Sequence, residues 1–191
     1  MAGETLAPVR PMRVDAQRNY DRIVAVACEA FSEHGVHTSL DDIAKRAGVG
    51  AGTLYRHFPN RDCLLAAALV ESRQALDDTA EELLARDDAG AALDDWLIEL
   101  ARHLSSYDGL PDSVAEAVND STSPLTAPCS MMKSATARLL DRAQAAGAVR
   151  ADVQPDDLFV FASSLAWAAN KSGYTRDDLR RVLALFTAGL R

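Results

Sequence analysis

Between residues 39 and 61 the chain gathers side chains suited to a grooved polyanion: Ser39, Lys45, Thr53, Tyr55, Arg56, His57 and Arg61. With Ala51 they supply methyl, hydroxyl, imidazole and guanidinium groups, which meet thymine methyls, phosphates and guanine edges in duplex DNA. Two short helices would have to hold them. Ser39 is a good N-cap, and Asp41 and Asp42 follow it in the first turn. Leu40, Ile43, Ala44 and Ala47 then make an apolar stripe that stops at Gly48. Ala44 and Ala47 are small where two helices must approach, and Val49 is the apolar residue a tight turn buries. A second helix, opening at Gly50 to Gly52, buries Leu54 and Phe58 as an i,i+4 pair and turns Ala51, Thr53, Tyr55, Arg56 and His57 outward. Helix, four-residue turn, helix is the spacing of a helix-turn-helix. It also suits a small helical hairpin with a polar solvent face, and spacing by itself leaves both readings open.

The surrounding chain reads as helix throughout. Ile23, Ala27, Ala30 and Phe31 set a helical period from about Tyr20 to Gly35. Pro59 and Asn60 introduce a long helix from Arg61 to about Arg86, with Leu65, Leu69, Leu76 and Leu83 on one side. Helices are expected over about 91–105, 112–119, 130–146, 155–170 and 175–189, with Pro155 at a first helical position and Thr175 as a cap. No segment alternates as a strand. The expected fold is all-α with about nine helices. Residues 1–18, with Pro8, Pro11, Arg10, Arg13 and Arg18, are expected to form a flexible basic arm. Residues 19–61 read as one helical module around this pair of short helices, and 62–191 as a second.

Charge divides the same way. The chain of 191 residues carries −8, which argues against indiscriminate coating of nucleic acid or anionic membrane. Residues 1–61 hold 8 basic and 7 acidic side chains, and the remainder 12 and 21. The acid is concentrated in the second module. No apolar run approaches the ~18 residues of a membrane span, residues 1–11 lack an apolar signal core, and Cys28, Cys63 and Cys129 are odd in number and widely spaced. A reduced, cytoplasmic protein is expected. His34 and His37 flank a helix-breaking Gly35 with no third ligand. The acidic doublets suit solvated faces and helix N-termini. Without a nucleophile elbow, phosphate loop or dinucleotide fingerprint, no enzymatic activity, cofactor or metal is expected.

The run from Thr38 to Leu65, with Leu-Asp-Asp-Ile-Ala-Lys-Arg-Ala-Gly-Val-Gly-Ala-Gly-Thr-Leu-Tyr-Arg-His-Phe at its centre, resembles the signature of the TetR family of bacterial transcriptional regulators. The match covers about residues 20–66 and includes Ala30, Phe31 and Gly35. Residues 139–153 resemble the connection between the seventh and eighth helices of many members. Gly50 departs from the family, which often has Ser there. The resemblance implies Ser39 near the phosphate backbone, and Ala51, Gly52, Thr53 and Arg56 at or near the major-groove surface. It implies Tyr55 and His57 mainly on phosphates, Lys45 adding to that footprint, and Arg61 at a helix N-terminus that favours phosphate. Arg56 is the expected base reader, since bidentate Arg–guanine is the commonest specific contact.

The second module holds Trp96, Leu100, His103, Met131, Met132, Phe159, Phe161, Trp167 and Asn170. Aromatic and Met residues at helical spacing are usually core. The resemblance implies a small-molecule pocket among the fourth to eighth helices, with Trp96, Leu100, His103, Met132, Phe161 and Asn170 as its expected lining. The small residues near the C-terminus allow close packing within the chain or between subunits. The resemblance implies a four-helix dimer interface there, here Leu158, Ala162, Leu165, Val182 and Phe186. The expected protein is thus a homodimeric, ligand-responsive regulator that binds a double-stranded DNA operator. Repressor is the leading reading. An activator or ligand-independent regulator is the alternative, and a helical enzyme on the same scaffold a more remote one.

Overall fold

A computed structural model describes residues 10–118, 120 and 122–190. Within them the chain forms ten α-helices and no strand: α1 Arg10–His34, α2 Leu40–Arg46, α3 Ala51–His57, α4 Arg61–Glu71, α5 Gln74–Leu84, α6 Ala89–Leu104, α7 Leu110–Val118, α8 Thr126–Ala145, α9 Pro155–Ser172 and α10 Arg176–Thr187. No helix among the described residues is long and apolar enough to cross a membrane.

Local chemistry sets most boundaries. The Ser39 hydroxyl accepts from the Asp42 N–H at 3.4 Å, the Asn60 carboxamide from Cys63 at 2.9 Å, and the Asp88 carboxylate from Ala91 at 2.9 Å. Pro155 opens α9 at its first position, and α9 and α10 both begin with reciprocal capping boxes, Gln154 with Asp157 and Thr175 with Asp178.

Two differences from expectation are the largest. The helix starts at Arg10, so residues 10–18 are helical rather than a flexible arm; Pro11 lies in the first turn, where its missing N–H costs nothing. Residues 1–9 of that expected arm lie outside the described residues. The long helix expected from Arg61 to Arg86 is two helices, which raises the expected nine to ten. The helical ladder is interrupted at Ser72 and Arg73. Ser72 Oγ lies 3.4 Å from the Leu69 carbonyl and competes for an acceptor of the preceding turn.

Helix α6 is the axis of the second module. It buries Leu93, Trp96, Leu97, Leu100, Ala101 and Leu104 and packs against α5, α8, α9 and α10. Helix α1 packs on α2, α3 and α4 through Ile23, Ala27, Ala30 and Phe31, all fully buried.

Candidate nucleic-acid interface and ligand cavity

The helix-turn-helix is clamped from within. The Arg22 guanidinium of α1 donates to the carbonyls of Ala47 and of Gly48, the latter at 3.1 Å, so the turn between α2 and α3 is held by a charge from a third helix. Val49 N–H donates to the Ala44 carbonyl at 3.0 Å, and Leu54 is fully buried beneath α3. Arg46 faces inward to α1, pairing with Glu33 at 3.0 Å and Glu29 at 3.7 Å.

What remains outward matches a DNA-reading face. Ala51, Gly52, Tyr55 and Arg56 are exposed on α3, Thr53 is half-buried beside them, and Ser39, Lys45 and Gly50 are exposed at its flank. Arg56 lies 3.3 Å from the Gly52 carbonyl of its own helix, and neither it nor Lys45 forms an ion pair among the described residues. His57 is half-buried, edge-on to Tyr20 of α1 with ring centroids 6.0 Å apart, so it props α3 on α1 while keeping an open edge. A Cβ at Gly50 or Gly52 would meet nothing within 4 Å. Nothing inside the chain requires glycine at position 52, although glycine in a helix costs about 1 kcal/mol relative to alanine. A close external surface would.

Arg61 takes a different place from the one its position implies. Its guanidinium donates to the Val36 carbonyl and, at 2.5 Å, to the Thr38 carbonyl. The charge sits at the start of α4 but satisfies the turn that launches α2.

None of the six residues expected to line a pocket lines the groove described below. Trp96, Leu100 and Met132 are buried core. Trp96 Nε1 donates to Thr136 Oγ1 at 2.9 Å, and that hydroxyl donates to the Met132 carbonyl at 2.9 Å, so the indole has no donor left for a ligand. His103 is half-buried on α6; burial, then the charge of Arg102, holds its imidazole below the ordinary range, with Asp77 opposing. Asn170 Nδ2 donates to the Tyr107 carbonyl at 3.4 Å. Phe161 stacks on Phe186 of α10, with centroids 3.6 Å apart and planes at 7°.

A cavity does exist beside this set. A groove of about 360 Å³ runs between α7 and α9, lined by Pro111, Asp112, Val114 and Ala115 on one side and Phe159, Val160, Ser163, Ser164 and Trp167 on the other. Phe159, fully buried, reaches it from the core. Sequence reading singled out Phe159 and Trp167 but not the α7 wall. That wall lies more than 40 residues away in the chain, and no local period ties it to α9.

Of the expected dimer residues, Leu158, Ala162 and Leu165 are buried in the chain's own core and cannot reach a second copy. Their stripe faces α6, α7 and α8, the neighbours of α9. Val182 and Phe186 are half-buried. The large apolar side chains exposed on these helices are instead Val160 (52%), Trp167 (48%) and Leu185 (76%). A sequence signal for two of them existed: Val160 and Trp167 lie seven residues apart along the face opposite the buried stripe.

Ten helices led by a clamped helix-turn-helix with an outward cationic face define a DNA-binding regulator. Residues 23–68 match the family of bacterial regulatory proteins described as the tetR family, and residues 88–191 match the C-terminal domain of SbtR-like transcriptional regulators. An HTH-type transcriptional regulator of Staphylococcus aureus is 48% identical over 54 residues, which spans 28% of this chain and 29% of that protein. The chain thus matches less than a third of that relative's length. The crystal structure of the TetR transcriptional regulator SCO0520 from Streptomyces coelicolor is 34% identical, covers 90% of this chain and 98% of its own, and superposes with a TM-score of 0.60. The fold is also that of FadR from Bacillus subtilis in complex with stearoyl-CoA, 21% identical over 90% of this chain and 100% of that one, TM-score 0.63. The chain belongs to the TetR family of bacterial transcriptional regulators.

Proposed function

We propose that this chain is an effector-responsive repressor that binds a pseudo-palindromic operator as a homodimer and leaves it when a small molecule occupies the second module. The observation that carries this reading is the loop between α6 and α7. Val36 N–H, at the α1–α2 corner, donates to the Asp108 carbonyl at 2.8 Å. Gly35 and Gly109 allow that approach: a Cβ on Gly35 would meet the Asp108 carbonyl oxygen at 2.8 Å, and one on Gly109 would meet Val36 Cγ2 at 2.8 Å. Tyr107 lies beneath, near Ser72 at the α4–α5 interruption and Cys28 of α1; burial, then Cys28, pushes its phenol up to about 12. Helix α7 continues from this loop into the wall of the groove, and α9 reaches the loop through Asn170. A shift of α7 or α9 thus has a short route to the helix-turn-helix.

In this reading residues 10–60 form the DNA module. Arg56 reads bases, with Ala51, Gly52 and Thr53 beside it at the groove surface. Ser39, Lys45, Gly50, Tyr55 and His57 meet the backbone, and Arg61 positions α2 through its turn. Two copies joined along α9 and α10 cover Val160, Trp167, Val182, Leu185 and Phe186, and place two recognition helices on half-sites about 34–36 Å apart. FadR from Bacillus subtilis, which shares the fold, is seen with stearoyl-CoA; that likeness supports an effector without specifying one. Effector coupling of about 1–3 kcal/mol would weaken operator binding about 5–150-fold.

Footprinting on the DNA flanking the chain's own gene tests the reading. Two protected half-sites one helical turn apart are expected, with Leu185→Asp giving monomers by sedimentation and losing the footprint. A single isolated half-site, or full protection by a monomeric variant, overturns it.

A further inference from the structure

We infer that Arg22 is a positioning residue for base reading, a guanidinium lent by α1 that sets the angle at which α3 meets DNA; this rests on the reading of α3 as the helix that enters the groove of the duplex. Helix α2 is tied at both ends by arginines of other helices. At its start, Arg61 of α4 holds the Val36 and Thr38 carbonyls ahead of the Ser39 cap. At its end, a single nitrogen of Arg22, Nη2, serves both the Ala47 and the Gly48 carbonyls. Ala47 is the C-cap of α2, where carbonyls lack a helical partner and a cation is favoured. Gly48 follows at a φ of +64°, and a Cβ there would meet Arg22 Nη2 at 2.8 Å. The guanidinium thus lies against the residue that reverses the chain, two positions before Gly50, the N-cap of α3.

Stability and positioning separate at this residue. Arg22 is exposed, whereas Ile23, Leu54 and Phe58, which hold the module together, are buried without its help. If the guanidinium is removed, water can meet both carbonyls, so little stability is lost. Water does not tie the turn to α1. The other link at this end, Arg46 to Glu29 and Glu33, holds α2 itself and not the turn. A bond to one carbonyl fixes a distance, while bonds to two successive carbonyls also fix how the turn is rotated. Helix α3 is a lever on that turn: a rotation at Gly48 is magnified at Arg56, eight residues on. A bidentate contact with a base edge tolerates little misplacement, but attraction to phosphates does not depend on sequence or fine alignment. Loss of Arg22 therefore falls on discrimination, not on DNA affinity in general.

The test uses the full chain, a duplex that it selects from a random pool, and a random duplex of equal length, with binding measured across salt concentrations. Arg22→Met keeps the apolar stem and removes every donor. It should melt within about 2 °C of the parent and bind the random duplex as the parent does. On the selected duplex it should lose about tenfold, the size of one charge-assisted hydrogen bond, with the salt slope unchanged. Arg22→Lys, a point charge that reaches one carbonyl at a time, should recover part of that loss. Equal losses on both duplexes with a slope lower by about 0.9 would make Arg22 a phosphate ligand and overturn the proposal. Early melting with parallel losses on both duplexes overturns it too, as the mark of a merely structural contact. Should Arg56→Ala lose discrimination while Arg22→Met keeps it, the positioning role falls and the reading of α3 stands. Should both variants keep it, the reading of α3 falls as well.

Discussion

Helix α3 and the α7–α9 groove are built on opposite principles. Helix α3 is convex: one short segment, fixed from behind by Arg22, Leu54 and Tyr20, carries within seven consecutive positions every residue proposed to read bases. The groove is concave, and its two walls come from helices that meet only in the folded chain. A surface that reads a long polymer needs rigidity and protrusion. A site that holds a small molecule needs enclosure, and enclosure requires distant residues. Substitutions therefore act differently on the two: on α3 they change contacts with DNA, and around the groove they change how helices pack.

The largest expected effect would break that contrast if it failed. Trp96→Ala should cost about 3–5 kcal/mol of stability by denaturant unfolding, because it empties the centre of α6 and takes the indole donor from the Thr136 hydroxyl. A Trp96→Ala chain of unchanged stability that had lost only effector binding would return this residue to a pocket. Next, Arg56→Ala should lose about 1–3 kcal/mol at one operator position, with preference there relaxed. Lys45→Ala should weaken all sequences alike and lower the slope of log affinity against log salt by about 0.9. Equal losses on operator and random DNA for both variants would remove Arg56 as the reader. A smaller and opposite pair of effects is expected at Gly52→Ala: about 0.5–1 kcal/mol of added stability together with weaker operator binding. Added stability with unchanged affinity would mean that no DNA approaches that backbone. The smallest effect concerns His103. Its folded pKa lies below the free value of 6.5, so the unfolded chain binds more protons in between. Stability is thus full above that pH and declines as pH falls through it. His103→Gln should flatten the decline in melting temperature, and an unchanged slope would assign it elsewhere.

Much of the DNA module was legible because its signals are local. Ser39, Asp41, Asp42 and Gly48 act within a few residues of themselves, and the Leu54–Phe58 pair lies within one helical turn. The interruption at Ser72–Arg73 was not legible, because Leu69 and Leu76 keep the heptad spacing of an unbroken stripe. Arg61 misled for a related reason. Its place before a helix suits phosphate, but its partners at Val36 and Thr38 lie 25 and 23 residues back. Leu158, Ala162 and Leu165 marked a close-packed face correctly, yet a small-residue stripe carries no label for whose helix it meets. The groove depended on tertiary placement of α7, which sequence period does not encode.

The bond from Val36 to Asp108 runs from main chain to main chain. Any residue at 108 supplies the acceptor, and any residue except proline at 36 supplies the donor. Only the flanking glycines, 35 and 109, are tied to identity, both at positive φ and both pressed against the opposite segment. A joint of this kind is indifferent to side-chain drift. The second module can be rewritten for a new molecule, and α3 for a new operator, while the two halves stay in register. Recombination between relatives that kept the two glycines should yield chimeras whose sensing and reading halves still couple.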